Sequence, residues 1–234
     1  MCSHYQAVKN KAQFERHFGL LPPAVAQPAD VWPGYLGSFV RPHPHAQAGD
    51  DAVPALEAAI GAFGLLPHWA KDRTLGRHTY NARTETVAEK PSFRDAWARA
   101  QRCIIPADAF FEPDWRSGRA VATRIARANG EPMGIAGLWS AWRSPQGEVL
   151  SFTMLTVNAD AHPLMRHFHK PGDEKRMVVV LPPAHYAQWL QAAPAHSVDL
   201  IYACPAPDLV VQAEAPPEGA EAAKPDGARQ ATLF

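Results

Sequence analysis

The stretch Arg102-Cys103-Ile104-Ile105-Pro106-Ala107-Asp108-Ala109-Phe110-Phe111-Glu112 decides the reading of the fold. Residues 102–106 form a short apolar run of strand length, which indicates a buried strand. Ala107-Asp108 suggests a turn, and Phe110-Phe111-Glu112 continues the strand beyond it. Working outward, further strands are expected at 120–126, 134–139, 150–157 and Met177–Leu181. A helix is expected at 91–100, with Pro91 near its start and Phe93, Trp97 and Ala100 on one face. A second is expected at Pro183–Ala192. A third falls within 1–21, where Phe14, Phe18 and Leu21 recur at helical spacing after a short polar segment. Residues 22–54 carry seven prolines in 33 positions, which predicts irregular or extended chain because proline blocks helix and ladder hydrogen bonds. Many short strands with few helices between them predict an α+β fold. It would be a single domain on a curved, mostly antiparallel, barrel-like β-sheet with flanking helices.

Composition narrows the function classes. The chain has 234 residues, 47% of them hydrophobic, enough for one sizeable core. No apolar run approaches the roughly 20 residues of a membrane helix, and no secretory signal opens the sequence, so a cytoplasmic monomer without a membrane partner is expected. Three cysteines, at 2, 103 and 204, form no CxxC pair, which argues against a disulfide framework and a thiolate zinc site. Basic and acidic residues balance at 23 each, yet residues 208–234 hold five acids and two bases, leaving 21 bases against 18 acids elsewhere. From about 206 the chain is poor in large apolar residues and rich in Ala, Pro, Glu and Gly. A domain over 2–205 and a low-complexity, disordered tail over 206–234 are therefore expected.

Several residues suit chemistry. Aminopeptidases remove an initiator Met before a small residue, which would make Cys2 the first residue. Its free α-amine, with a pKa near ~7.7–8.0, would then stand beside a thiol. Such a 1,2-aminothiol condenses with an aldehyde to an imine, and the thiol closes a five-membered thiazolidine. A plain frayed terminus is the competing reading of Cys2 on position alone. Glu112 sits between Phe110-Phe111 and Pro113, a desolvated setting that suits acid/base work; a carboxylate at an exposed strand end is the alternative. His162, His167 and His169 lie close together, but no helical HxxxH pair or thiolate accompanies them. One catalytic histidine, His169, is favoured over a metal centre. Asn81 and Arg83, two apart on an extended segment, share a face where an amide and a guanidinium orient a nucleophile and a phosphate. Trp69, Trp115, Trp139 and Trp142 are stacking candidates, the last two better placed for the core.

These pieces together resemble the SRAP family, the SOS response-associated peptidases or abasic-site processing proteins. The resemblance runs from Cys2 to about Leu190. It rests on Met1-Cys2, Phe63-Gly64-Leu65-Leu66-Pro67-His68-Trp69, Asn81-Ala82-Arg83-Thr84-Glu85-Thr86, residues 102–112, Ala136-Gly137-Leu138-Trp139, Leu155-Thr156-Val157-Asn158-Ala159, and His169 followed by Arg176-Met177. It implies a protein that binds single-stranded DNA and traps an abasic-site aldehyde as a thiazolidine on Cys2, with no cofactor. Autoproteolytic and AP-lyase activities belong to the same implication. Carried over by position, Cys2, Asn81, Glu112 and His169 would be catalytic. His4, Trp69, Arg83, Thr156 and Arg176 would contact DNA. The sequence departs from the family pattern at Ser3-His4, where Gly-Arg is usual, at Phe63 and Pro113, each in place of Trp, and in the 170–175 insertion, with Val178 in place of Pro. His167 and His162 are the fallback positions for His169. An N-terminal-nucleophile amidohydrolase and a non-catalytic single-stranded DNA-binding module are the alternatives in function.

Overall fold

The strand that decides the fold runs further than its sequence suggests. The computed structural model describes residues 2–46 and 52–213. In it Arg102–Asp114 is one continuous strand, with no turn at Ala107-Asp108. The reason is lateral. Arg102–Ala107 pairs along Leu138–Met133, and Phe110–Asp114 pairs along Ile125–Val121, so ladder hydrogen bonds on both halves override local turn propensity.

The elements in chain order are β1 (Tyr5–Ala7), α1 (Lys11–Phe18), β2 (Asp30–Val31), β3 (Leu36–Pro42), β4 (Leu56–Phe63), β5 (Asn81–Arg83) and α2 (Arg94–Ala98). They continue with β6 (Arg102–Asp114), β7 (Val121–Arg127), β8 (Met133–Ser144), β9 (Gly147–Asn158), β10 (Arg176–Val178), β11 (Val180–Leu181), α3 (Tyr186–Gln191) and β12 (Leu209–Ala213). Strands β8, β9, β4, β3 and β6 pair in turn, and β6 pairs back onto β8. This closes a five-stranded barrel and removes its free edges. Its pairings are antiparallel except β4 on β9. Strands β1 and β7 extend the outer half of β6, while β5 and β10 both attach to β9. The α+β, curved, mostly antiparallel architecture is as the sequence indicates. Among the described residues no helix is long and apolar enough to cross a membrane.

The unbroken apolar run at 103–105 has a direct cause. Cys103 and Ile105 join one core cluster with Phe39, Phe63, Phe152 and Met154, while Ile104 faces a second cluster with Phe14, Trp97 and Trp189 from the three helices. Both faces of the strand are covered, so both alternate sets must be apolar. Arg102 is wholly buried between Trp97 and Trp189, with its guanidinium donating to Ser197 Oγ at 2.9 and 3.2 Å.

Several expected boundaries shift. Helix α1 is capped by Asn10, whose side chain accepts from Gln13 N, and stops at Gly19 with φ +74°. Leu21 therefore lies beyond the helix, 68% exposed, off the face formed by Phe14 and Phe18. The 177–181 strand is two pieces that pair with different partners, β10 with β9 and β11 with β8. The helix expected at 183–192 starts as a 3-10 turn and becomes α-helical at Tyr186. The expected disordered tail from 206 is corrected at its start, because Leu209–Ala213 pairs with Arg127–Thr123. The rest of that tail, 214–234, lies outside the described residues.

Gly64, directly after β4, has φ +127°, and a Cβ there would stand 2.1 Å from the Gly76 carbonyl oxygen. We expect Gly64→Ala to cost more than about 2 kcal/mol, because backbone meets backbone and neither can rotate away. Denaturant unfolding checks this; an alanine variant with wild-type stability would contradict it.

Candidate active site

The pairing of β1 with β6 delivers the first residues to the outer end of β6. Tyr5 is opposite Phe110, and the His4 carbonyl accepts from Phe111 N at 2.9 Å. The chain leading into β1 places the Cys2 thiol close enough to Glu112 to feel its charge. Cys2 is buried, and its thiol donates to the His4 carbonyl at 3.3 Å. On the other side, β5 lies parallel to β9 with Asn81 opposite Met154. From there Asn81 Nδ2 donates to the Cys2 carbonyl at 2.6 Å.

Glu112 is 1% exposed, in agreement with the desolvated setting inferred from its neighbours. His169 Nε2 stands 2.9 Å from Glu112 Oε2. The loop carrying His169 is tied to the end of β6, because His169 N donates to the Pro113 carbonyl at 2.9 Å and Phe168 bridges Asp114. His169 itself has φ +62°, a left-handed conformation that costs free energy for a residue with a Cβ and that clusters at functional sites. Cys2, Asn81, Glu112 and His169 thus converge from four separate segments.

The electrostatics are lopsided. Burial pushes the Cys2 thiol far up from its ordinary range, and the charge of Glu112 pushes the same way, while the backbone at His4 and Phe111 pulls it down. The thiol is therefore held neutral at physiological pH. Tyr80, which sequence reasoning missed, packs edge-on to Phe63 with ring centroids 5.8 Å apart. Its phenol is raised by burial first and then by Cys2 and Glu112, so it borders the same site. Its only sequence signal was adjacency to Asn81.

The fallback histidines are occupied elsewhere. His162 Nδ1 accepts from Leu164 N and Met165 N, and its Nε2 faces the Cys204 carbonyl at 2.7 Å. His167 is exposed and is joined to Arg166. Among the described residues no group of three His, Cys, Asp or Glu side chains is placed to hold a metal ion.

The expected DNA contacts divide into two kinds. Arg83 is half exposed and its Nη1 pairs with Glu174 at 2.7 Å. Trp69 is 45% exposed and lines a groove with Lys71, Arg77 and His78. Arg176, by contrast, is buried, pairing with Glu85 at 2.9 Å and with Glu174 at 2.8 Å, and donating to the Thr156 carbonyl at 2.6 Å. Thr156 is buried in the same network. His4 is sandwiched between Trp32 and Phe111, and its Nε2 meets Asp30 at 2.9 Å. These three side chains are therefore internal, not open to a phosphate. Trp142 is core, donating to the Ala70 carbonyl, and Trp139 lies under the Arg41 guanidinium.

The sequence pattern of the SOS response associated peptidase (SRAP) family matches residues 1–213. The chain belongs to the SRAP family. Abasic site processing protein YoqW of Bacillus subtilis is 37% identical over 131 residues, covering 55% of this chain and 54% of that protein. Abasic site processing protein HMCES of Xenopus tropicalis is 26% identical over 156 residues, covering 56% and 46%. The matched stretch is thus about half the length of these curated relatives. A crystal structure of a Bordetella bronchiseptica protein is 46% identical, with a TM-score of 0.81 over 91% of this chain and 99% of that one. A Bacteroides thetaiotaomicron structure at 19% identity shares the fold, with a TM-score of 0.74 over 91% of each chain.

All three thiols of this SRAP chain are buried and held protonated, with Cys204 pushed up to about 11. We expect iodoacetamide at pH 8 to label the native protein at least tenfold more slowly than the unfolded chain at Cys2, because thiolate is the reactive form. Peptide mass mapping checks this; equal rates in the two states would contradict the burial of Cys2.

Proposed function

We propose that the protein binds single-stranded DNA at an abasic site and captures the ring-opened sugar aldehyde on Cys2 once Met1 is removed. The observation that carries this reading is the convergence of Cys2, Asn81, Glu112 and His169 around one buried thiol. The family membership supports it, as do the relatives described as abasic site processing proteins.

The neutral thiol sets the order of events. A free α-amine ordinarily titrates near ~7.7–8.0, whereas the Cys2 thiol is pushed far up by burial, so the Cys2 amine attacks the aldehyde carbon first. The carbonyl oxygen takes a proton from His169, the nitrogen returns one to His169, and the carbinolamine then loses one water to form an imine. The sulfur then adds to the imine carbon. Its proton passes to Glu112 and on to the nitrogen, so the thiazolidine forms with a net loss of one water. Release reverses these steps. Asn81 fixes the Cys2 backbone, so amine and thiol face one carbon. The imine is also the branch point for strand scission, by loss of a proton beside it and departure of a phosphate. Ring closure by sulfur closes that branch. The same Glu112 and His169 would serve cleavage before Cys2. An amidohydrolase would need the thiol as the first nucleophile, which its burial disfavours.

Arg83 is the phosphate contact in this scheme, and Trp69 supports the strand. Arg176 acts indirectly, by holding Glu174 where it restrains Arg83, and Thr156 anchors Arg176.

A denaturing gel with an oligonucleotide carrying one abasic site tests the proposal. We expect a covalent band that is lost in Cys2→Ala and when a residue is retained before Cys2. A band of equal intensity in Cys2→Ala would overturn the mechanism, and binding without any band would favour a pure binding module. Glu112→Gln should slow adduct formation or release by roughly 100-fold, in the range for a positioned acid/base; unchanged rates would remove Glu112 from the mechanism. Glu174→Gln should tighten DNA binding a few-fold at low salt by freeing Arg83, as followed by fluorescence anisotropy; weaker binding would contradict the restraint.

A further inference from the structure

A stack of three rings leads out of the active site. Phe111, next to Glu112, lies under the His4 imidazole at 4.0 Å between centroids and 11° between planes. Trp32 covers the other face of His4 at 4.0 Å and 10°. Phe111 is buried, whereas Trp32 remains 43% exposed although His4 covers one of its faces. With His4 on one face, the opposite face and the edge are what the indole can offer to a partner. Nothing in the capture chemistry uses this ring.

The indole is held firmly. Trp32-Pro33-Gly34-Tyr35 forms a tight turn in which Tyr35 N donates to the Trp32 carbonyl at 2.9 Å. Proline at the second position and φ +92° at Gly34 are what a type II turn requires. Gly34 N donates to the Phe63 carbonyl at 2.7 Å, and Phe63 N to the Tyr35 carbonyl at 2.8 Å, which fastens the turn to the end of β4. On its other side β2 pairs Val31 with Tyr5, locking Trp32 to the strand that directly follows His4. Asp30 holds the edge of His4, so the middle ring cannot rotate out of the stack.

We propose that Trp32 is a base-stacking residue, its outer face taking the unstacked base of a nucleotide that flanks the abasic site. The proposal rests on the capture reading above and adds a recognition element to it. Two observations favour a nucleobase as the occupant. The platform is continuous with the candidate site, through His4 two residues from Cys2 and Phe111 beside Glu112. It also presents one flat aromatic face at the end of a parallel stack, which suits a planar π-faced group of any base identity. An abasic nucleotide has no base of its own, so affinity near the lesion must come from its neighbours.

The test is a double-mutant cycle on binding affinity, measured by anisotropy with a single-stranded oligonucleotide that carries a non-reactive abasic analogue. In the partner oligonucleotides the base on one side of the analogue, and then on the other, is also deleted. We expect Trp32→Ala to lose affinity about tenfold, on the order of one stacked base, and Trp32→Phe to restore most of it. Deleting the correct flanking base should cost the wild type the same factor and cost Trp32→Ala nothing further. Equal losses in wild type and Trp32→Ala on both sides would overturn the proposal, as would wild-type affinity in Trp32→Ala. Because the analogue forms no adduct, failure of the capture chemistry is read separately, on the gel with a true abasic site.

Discussion

The structure depends on one strand being shared. The inner half of β6 pairs with β8 and closes the barrel, and its outer half carries β1 on one side and β7 on the other. A single 13-residue strand therefore joins the core to the site. Closure fixes where β6 ends, and its end fixes Glu112. The segment leading into β1 then carries Cys2 close to that carboxylate, and the Pro113 carbonyl holds His169 N beside it. Loss of the β6–β8 ladder would remove the barrel and the alignment of the site at once.

Burial of that alignment has a chemical consequence. A thiol on an exposed terminus would be partly ionised and open to oxidation. Here desolvation and Glu112 hold it protonated, and in the proposed mechanism the same carboxylate takes the proton when sulfur bonds carbon. In the proposed mechanism this favours amine-first capture and delays sulfur until an imine is present. The left-handed backbone at His169 fits this picture, since a strained residue held by Pro113 and packed beside Glu112 is preorganised.

The sequence made much of this visible, for identifiable reasons. The run at 102–106 was legible as a strand because both its faces are buried. The catalytic candidates were legible through the family resemblance, since on position alone a frayed terminus at Cys2 and an exposed strand end at Glu112 competed with them. Less visible were features that depend on lateral pairing. Ala107-Asp108 looks like a turn until β8 and β7 are alongside, and residues 209–213 look like tail until β7 offers an edge. His4 and Arg176 were expected at the DNA by carry-over from the family pattern, which carries no information on burial. In the fold a stack and a carboxylate network enclose them. Trp32 and Tyr80 gave no pattern at all, since each gains its role from a neighbour distant in the chain.

The central claim is that nitrogen and sulfur of Cys2 both bond to one sugar carbon. The most direct measurement is a carbon-13 spectrum of the protein bound to an oligonucleotide labelled at C1′ of a single abasic site. The account predicts a saturated carbon bonded to nitrogen and sulfur, stable without a reducing agent. A signal from an imine carbon, captured only after borohydride reduction, would contradict it.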